Sequence, residues 1–397
     1  MTTPNRRRAT PAWIAAALLV AFGLPKAAHA APALVFEPET GTVLHHEQAH
    51  DLWSPASLTK LMTAYVAFRA LEAGDLTLRS PVRVTANAVS TPPSRMGYPS
   101  GSVMTIDNAL KMVIVRSAND IAVALGEAVA GSEAAFVARM NEEAARLGMT
   151  NTNFVNPHGL HDEQQYTTAR DMAVLARALK TDFADRADYF AIEAISFGEQ
   201  LIPSYNLLLG RFDGADGMKT GFVCASGFNL IASATRGGRT LVAVVMGTES
   251  QKERAEKSAT LLDQGFNGSA PSAGAVDLAS VPGTDADGVP ADLRPVVCTE
   301  EARAARWDGR DVDGNIVFDT DLIGTMDREP RAARVGLGGA EGASMTAIVL
   351  GGAAIDAYPV PTPRPYRPSL ASEAEMERYQ LRPGFDVPVP ASRPESG

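Results

Sequence analysis

A chain of 397 residues that is 45% hydrophobic and 21% charged has the composition of a globular protein with room for two or three domains, which excludes a chain disordered throughout. Its formal net charge of −10 excludes a polycationic surface, so no nucleic-acid partner is expected. Residues 1–30 read as a signal peptide: Arg6-Arg7-Arg8, an apolar run over 13–24, and Ala28-His29-Ala30 as a small-x-small cleavage site. The run is shorter than the ~20 residues a spanning helix needs. The arginines also suit a twin-arginine signal, but Ala9-Thr10 follows where a bulky apolar residue would help, which leaves the export route open. Cleavage removes Arg6, Arg7, Arg8 and Lys26 and no acids, taking the formal charge from −10 to −14. In an oxidising, periplasmic compartment the two cysteines, Cys224 and Cys298, are expected to pair.

Residues 31–267 carry dense apolar periodicity and form the principal domain. Stretches 33–36 and 42–45 flank Glu39-Thr40-Gly41 as a hairpin. Ser54-Pro55 supplies a cap and a first-turn proline for a helix running to Gly74. Helical spacing recurs at 107–115, 120–129, 132–147 and 169–179; 230–233 and 241–246 read as strands around Arg236-Gly237-Gly238-Arg239. Strands from both ends of the domain, with helices between, predict an α/β fold in which an antiparallel sheet is flanked by helices. Residues 268–295 are rich in Gly, Ser, Ala, Pro and Asp and read as a linker. A small, partly β region is expected at 296–356, with 345–354 as a strand, and a Pro-rich disordered tail at 357–397.

Two catalytic signatures share residues 46–60, HEQAHDLWSPASLTK. The HExxH of zinc peptidases needs a helix, because only i and i+4 put both histidines on one face. Here the segment follows a strand and precedes Pro55, and Trp53 and Ala56 stand where the longer metal motif requires Gly and His. His46 and His50 are therefore expected to be solvated strand-end residues, and no metal or other cofactor is expected. His158 and His161, in NPHGLHDE, are expected to belong to a well-bonded turn. In the other signature, Ser57 falls in the first turn of its helix, where free N–H groups favour an oxyanion, and Lys60 lies on the same face. Apolar neighbours Leu58, Leu61, Met62 and Ala64 would desolvate that lysine and leave it a neutral base. Ser117-Ala118-Asn119 and Lys219-Thr220-Gly221 follow in order, completing the SxxK, SxN and KTG set of penicillin-binding proteins and serine β-lactamases.

With PASLTKLMTAY, RSANDIAVALGE, LGMTNTNFVNPHGLHD, YTTARDMAVLARAL and DGMKTGFVCASGFNLIASATRGGRTLVAVVMG, residues 33–266 resemble the low-molecular-mass penicillin-binding proteins, the serine D-alanyl-D-alanine carboxypeptidases of peptidase family S11. The resemblance implies the penicillin-binding/serine β-lactamase-like fold, peptidoglycan stem peptides as substrate, and β-lactams as covalent inhibitors. It implies Ser57 as nucleophile, Lys60 as base, and Ser117 and Asn119 as proton relay and substrate anchor. Lys219, Thr220 and Arg254 would hold the terminal carboxylate, Gly221 would let substrate approach the strand edge, and the N–H groups of Ser57 and Phe222 would form the oxyanion hole. Phe222 stands where some members carry His, and Cys224 adds a thiol close by. No ExxLN-type deacylating Glu occurs between Asn119 and Lys219, which separates the chain from class A β-lactamases. Relatives end in a β-rich domain and an amphipathic membrane helix; the proline-broken tail here shows no such stripe, so a soluble periplasmic protein is expected, with loose membrane association as its rival. A DD-endopeptidase and a catalytically dormant wall-binding module are the alternative functions.

Overall fold

The computed structural model describes residues 31–269, 276–283, 288–308, 310–311 and 314–342. The signal peptide, the strand expected at 345–354 and the 357–397 tail lie outside the described residues. Strands β1 (Ala33–Phe36) and β2 (Thr42–Glu47) form the expected hairpin, with Leu34 opposite His46 and Val35 opposite His45. Strands β3 (Pro81–Arg83) and β4 (Val103–Thr105) pair with each other, as do β5 (Ala194–Phe197) and β6 (Gln200–Pro203). The principal sheet adds β7 (Ala215–Val223), β8 (Gly227–Arg236), β9 (Arg239–Thr248) and β10 (Val276–Asp277) in the order β10-β2-β1-β9-β8-β7, antiparallel throughout.

Both faces of that sheet are covered, which explains why β9 reads as the unbroken apolar run LVAVVM. Leu241, Ala243 and Val245 pack with Ala255, Ala259 and Leu262 of α7 (Gln251–Phe266), while Val242, Val244 and Met246 face the larger helical layer. Each large side chain buried this way stabilises the fold by roughly 1.5–3 kcal/mol. At the centre of the helical layer runs α1 (Thr59–Glu72), buried on nearly every side. Its neighbours are α4 (Asn119–Ala130), α5 (Glu133–Leu147) and α6 (Ala169–Thr181), with α2 (Ala86–Ser90) and α3 (Ile106–Lys111) preceding them. Thr85, Thr105, Ser132, Thr168 and Ser250 accept backbone N–H bonds as N-caps, so the starts of α2, α3, α5, α6 and α7 are each set by a side chain written into the sequence.

The segment with linker composition is built into the core: β10 extends the sheet beside β2, and Leu278 and Val281 are buried. The residues after it follow the surface of the principal domain. They include α8 (Arg294–Val297), α9 (Glu300–Asp308) and β11 (Ala332–Arg334), which pairs in parallel with β5. Glu193 accepts a bidentate contact from Arg328 (2.7 Å to each oxygen), Lys252 pairs with Asp319 at 2.7 Å, and Val335 is buried in the main core. The small, partly β region expected at 296–356 is thus held, over its described residues, by one strand pairing and by ion pairs.

Candidate active site

Ser57 stands in a 3-10 turn, Ala56–Leu58, that precedes α1 rather than in the first turn of the α-helix itself. Ala56 has φ +48°, a left-handed conformation costing an ordinary residue about 1–2 kcal/mol. Three contacts hold it. Asn229 on β8, fully buried, donates from Nδ2 to Ser54 O (3.1 Å) and Pro55 O (3.2 Å). Gly159, at φ +86°, lies so close that an added Cβ would meet Ala56 O at 1.9 Å. Gly221 on β7 presses on the same turn: its Cβ would lie 3.0 Å from Pro55 O and 3.1 Å from Ser57 N. The glycine of the Lys-Thr-Gly motif is thus needed first for the approach of β7 to the serine turn, where strand-edge access for substrate had been the expected reason.

Lys60 is fully buried, with Nζ 3.0 Å from Ser57 Oγ, 2.7 Å from Asn119 Oδ1 and 2.5 Å from His158 O. Burial first, and the Lys219 charge second, hold its pKa well below that of an ordinary amine; Asp120 opposes them. The last two contacts are to acceptors only, since the Asn119 amide nitrogen donates to Pro92 O (2.9 Å). A neutral amine has two protons. Both are committed to Asn119 and His158, so the remaining lone pair faces the Ser57 hydroxyl, as a general base requires.

Ser117 closes a π-helical turn, Met112–Arg116, at φ +59°. The Lys219 ammonium donates to Ser117 Oγ (2.9 Å) and Thr220 O (3.0 Å), and burial, then Arg254, pushes its pKa down to about 7. From α7, buried Arg254 donates to Gly221 O (3.3 Å), Tyr205 O (3.3 Å) and Asn229 O (3.5 Å); burial lowers it to about 9, and it stays a cation at neutral pH. Asp120 is also buried, and its carboxylate accepts from the backbone N–H groups of Met96 (3.0 Å), Gly97 (2.8 Å) and Ile121 (2.9 Å). Burial raises its pKa against those bonds. With Lys60 neutral, the buried Lys219 and Arg254 are the cationic side chains here, and they make a site suited to an anionic ligand. Ser57, Lys60, Ser117, Asn119, Lys219, Thr220, Gly221 and Arg254 are all brought together. Phe222 is 39% exposed and stacks on Phe228 at 4.2 Å between ring centres. Next to it, Cys224 is disulfide-bonded to Cys298, with S–S 2.02 Å and Cα–Cα 5.6 Å.

Asn229, Asp120 and the His158 carbonyl were not legible as site residues. Asn229 and Asp120 had one signal, a polar side chain inside an apolar run (GFNLIAS, RSANDIAVAL). The carbonyl had none, because side-chain identity says nothing about a backbone acceptor. His158 does lie in a bonded turn, its Nδ1 accepting from Leu160 N (3.1 Å), and burial lowers its pKa to about 3. Of the HEQAH histidines, His46 lies on β2 and His50 in the turn beyond Gln48, on different elements. His50 differs from its expected solvation: Nε2 lies 2.9 Å from Val281 O, and an added Cβ on Gly283 would meet its ring at 2.2 Å. Among the described residues no group of three His, Cys, Asp or Glu side chains could hold a metal ion.

This geometry coincides with a sequence profile of peptidase S11, the D-alanyl-D-alanine carboxypeptidases, which matches residues 21–250. The chain belongs to the S11 family. D-alanyl-D-alanine carboxypeptidase DacC of Escherichia coli (strain K12) is 38% identical over 240 residues, 59% of this chain and 60% of that protein. DacF of Bacillus subtilis (strain 168) is 35% identical over 240 residues, 59% and 61% of the two chains. The match thus spans about three fifths of the length of these curated S11 relatives. Among solved structures, penicillin binding protein 6B from Escherichia coli superimposes with a TM-score of 0.56 at 35% identity, over 60% of this chain and 77% of that one. Penicillin-binding protein D2 from Listeria monocytogenes, in its ampicillin-bound form, gives 0.53 at 27% identity over 60% and 97%. The fold is that of the penicillin-binding proteins.

Proposed function

We propose that this chain is a serine D-alanyl-D-alanine carboxypeptidase that trims the terminal D-Ala from peptidoglycan stem peptides in the periplasm. The observation that carries the reading is the buried Lys60 amine, 3.0 Å from Ser57 Oγ with its other contacts taken by acceptors. Ser57 attacks the scissile carbonyl and its proton passes to Lys60. The oxyanion forms beside the Ser57 nitrogen, with the Phe222 N–H as second donor. Ser117, held by Lys219 at 2.9 Å, relays the proton: its hydroxyl proton goes to the departing D-Ala nitrogen as the C–N bond breaks, and Lys60 replaces it, becoming neutral again. The neutral Lys60 then deprotonates water, which attacks the acyl carbonyl; the ester bond to Ser57 Oγ breaks and Lys60 returns the proton to that oxygen. Lys219, Thr220 and Arg254 hold the terminal carboxylate through charge-assisted bonds. A β-lactam carries a comparable acyl group and carboxylate and would acylate the same serine, as befits a relative of a protein crystallised with ampicillin.

The test is to incubate the purified chain with a stem pentapeptide and a cross-linked dimer, to identify products by mass spectrometry, and to map the adduct of a fluorescent penicillin. Release of D-Ala and an adduct on the Ser57 peptide are expected, with both lost in Ser57→Ala. Cleavage of the dimer alone would make the chain an endopeptidase. Absence of both labelling and turnover would leave a dormant wall-binding module.

A further inference from the structure

Residues 292–308 lie beyond the stretch matched by the family profile, yet they are fastened to the strand that carries the Lys-Thr-Gly motif. Leu293 N donates to Ala225 O at 3.0 Å, and Cys298 is bonded to Cys224. Arg306 donates to Val297 O (2.8 Å) and sets its guanidinium 5.3 Å from the ring centre of Phe228, on which Phe222 stacks.

Direction along β7 gives this segment a place in the reaction. On the carboxypeptidase reading, the substrate carboxylate lies at Lys219 and Thr220, and the scissile carbonyl lies at Ser57, level with Gly221. A peptide extended along β7 therefore carries its acyl side past Val223 toward the turn at Cys224, Ala225 and Ser226. That turn is the one the segment covers. The opposite wall is the His158 loop: His158 O holds Lys60, Gly159 lies on Ala56, and His161 is exposed. Burial first, and the Arg294 charge second, lower the pKa of His161, while Asp292, Asp162 and Glu163 oppose them, which puts Arg294 and Asp292 within electrostatic reach of the ring. Arg294 is itself fixed, donating from its backbone to Asp292 Oδ1 (3.0 Å) and from its side chain to Asp292 Oδ2 (2.8 Å). Residues 292–294 thus sit on the β7–β8 turn, with their charged pair near His161 of the facing loop.

We propose that residues 292–298 form the acyl-end wall of the substrate groove, a subsite for the residues that precede D-Ala-D-Ala in an extended peptide, with Arg294 as its specificity-determining side chain. This rests on the carboxypeptidase reading, and the experiment separates the two. kcat and KM are measured for N-acetyl-D-Ala-D-Ala and for two stem pentapeptides, one with a free side-chain amine and one with that amine acetylated. Arg294→Glu, an exposed charge reversal, should shift preference toward the free-amine peptide about fivefold, carried in KM, as expected for a change of charge at a solvated contact. The short substrate and penicillin labelling should change less than about twofold. In Cys224→Ser/Cys298→Ser, KM for both pentapeptides should rise about fivefold while kcat for the short substrate holds. If the double variant does not fold, Arg294→Glu still decides. Turnover of all three substrates with an unchanged preference in Arg294→Glu overturns the wall alone; no turnover and no labelling in the wild type overturns the carboxypeptidase reading and the wall with it.

Discussion

On the proposed carboxypeptidase mechanism, Lys60 and Lys219 occupy the same buried site but need opposite protonation states, and their surroundings suit that division. Lys60 must be neutral, so acylation is supported above its depressed pKa and is lost as pH falls through it. Lys219 must be charged to hold a carboxylate, so binding is supported below about 7 and is lost as pH rises. The alkaline limb of kcat/KM, which reports the free enzyme, is expected near pH 7, and that of kcat higher, because a bound carboxylate favours the ammonium. Lys219→Arg should carry the limb out of range, since guanidinium does not titrate there; a limb that stays in place would show that another group sets it. The same burial costs stability. A lysine whose folded pKa is depressed binds fewer protons than its unfolded form, so the cost grows as pH falls from about 10 to about 7 and is constant below. Lys219→Met should therefore lose activity while gaining ~1–4 kcal/mol of stability at neutral pH, the range for replacing buried charge by apolar volume. A variant that melts several degrees lower would show that the bonds to Ser117 and Thr220 outweigh the desolvation.

At the scale of elements, the question raised by residues 46–60 is answered by where the chain changes from strand to helix. Strand β2 ends at Glu47, so the two histidines of HEQAH never share a helix face, whereas Ser57 and Lys60 meet across the junction of the 3-10 turn and α1. His50 has a structural duty instead. His50→Ala should cost about 1 kcal/mol through the contact with Val281 O and leave turnover unchanged, and strong chelation should likewise leave it unchanged. Loss of turnover restored by zinc would reverse that assignment. The helices were legible because their periodicity and Ser/Thr caps are local; the hairpin and β8–β9 were legible because turn residues bracket apolar runs. The edge strand β7 was less so. Its residues, ADGMKTGFV, lack alternation, because Lys219 and Thr220 turn polar groups into a buried site and Gly221 is fixed by contact with a turn some 160 residues earlier. The 3-10 geometry at Ser57 was hidden for the same reason: Asn229, Gly159 and Gly221, all distant in sequence, hold Ala56 in a conformation that no local preference would select.

Across the whole molecule, composition misled where contacts are long-range. The stretch at 268–295 lacks apolar density, yet Val276 and Asp277 complete the sheet, and beyond it the chain is fastened by Cys298 to the end of the strand bearing Lys219. The bridge closes a loop of 74 positions, for which the chain-entropy model gives roughly 4 kcal/mol. What the disulfide holds is the covering segment, not the catalytic set: Lys60, Asn119, His158, Ser117 and Lys219 are joined by hydrogen bonds that do not pass through residue 298. Reduction is therefore expected to lower the melting temperature by several degrees while kcat on a short D-Ala-D-Ala substrate stays within about twofold. Melting and turnover measured on the same oxidised and reduced samples, with thiol state checked by non-reducing peptide mapping, decide the matter. A large fall in kcat without a fall in melting temperature would mean that Cys224 positions β7 against Ser57 directly. Recovery of both cysteines as free thiols from periplasmically expressed protein would remove the bridge from the account, leaving Leu293 and Arg306 as the segment's anchors on the β7–β8 turn.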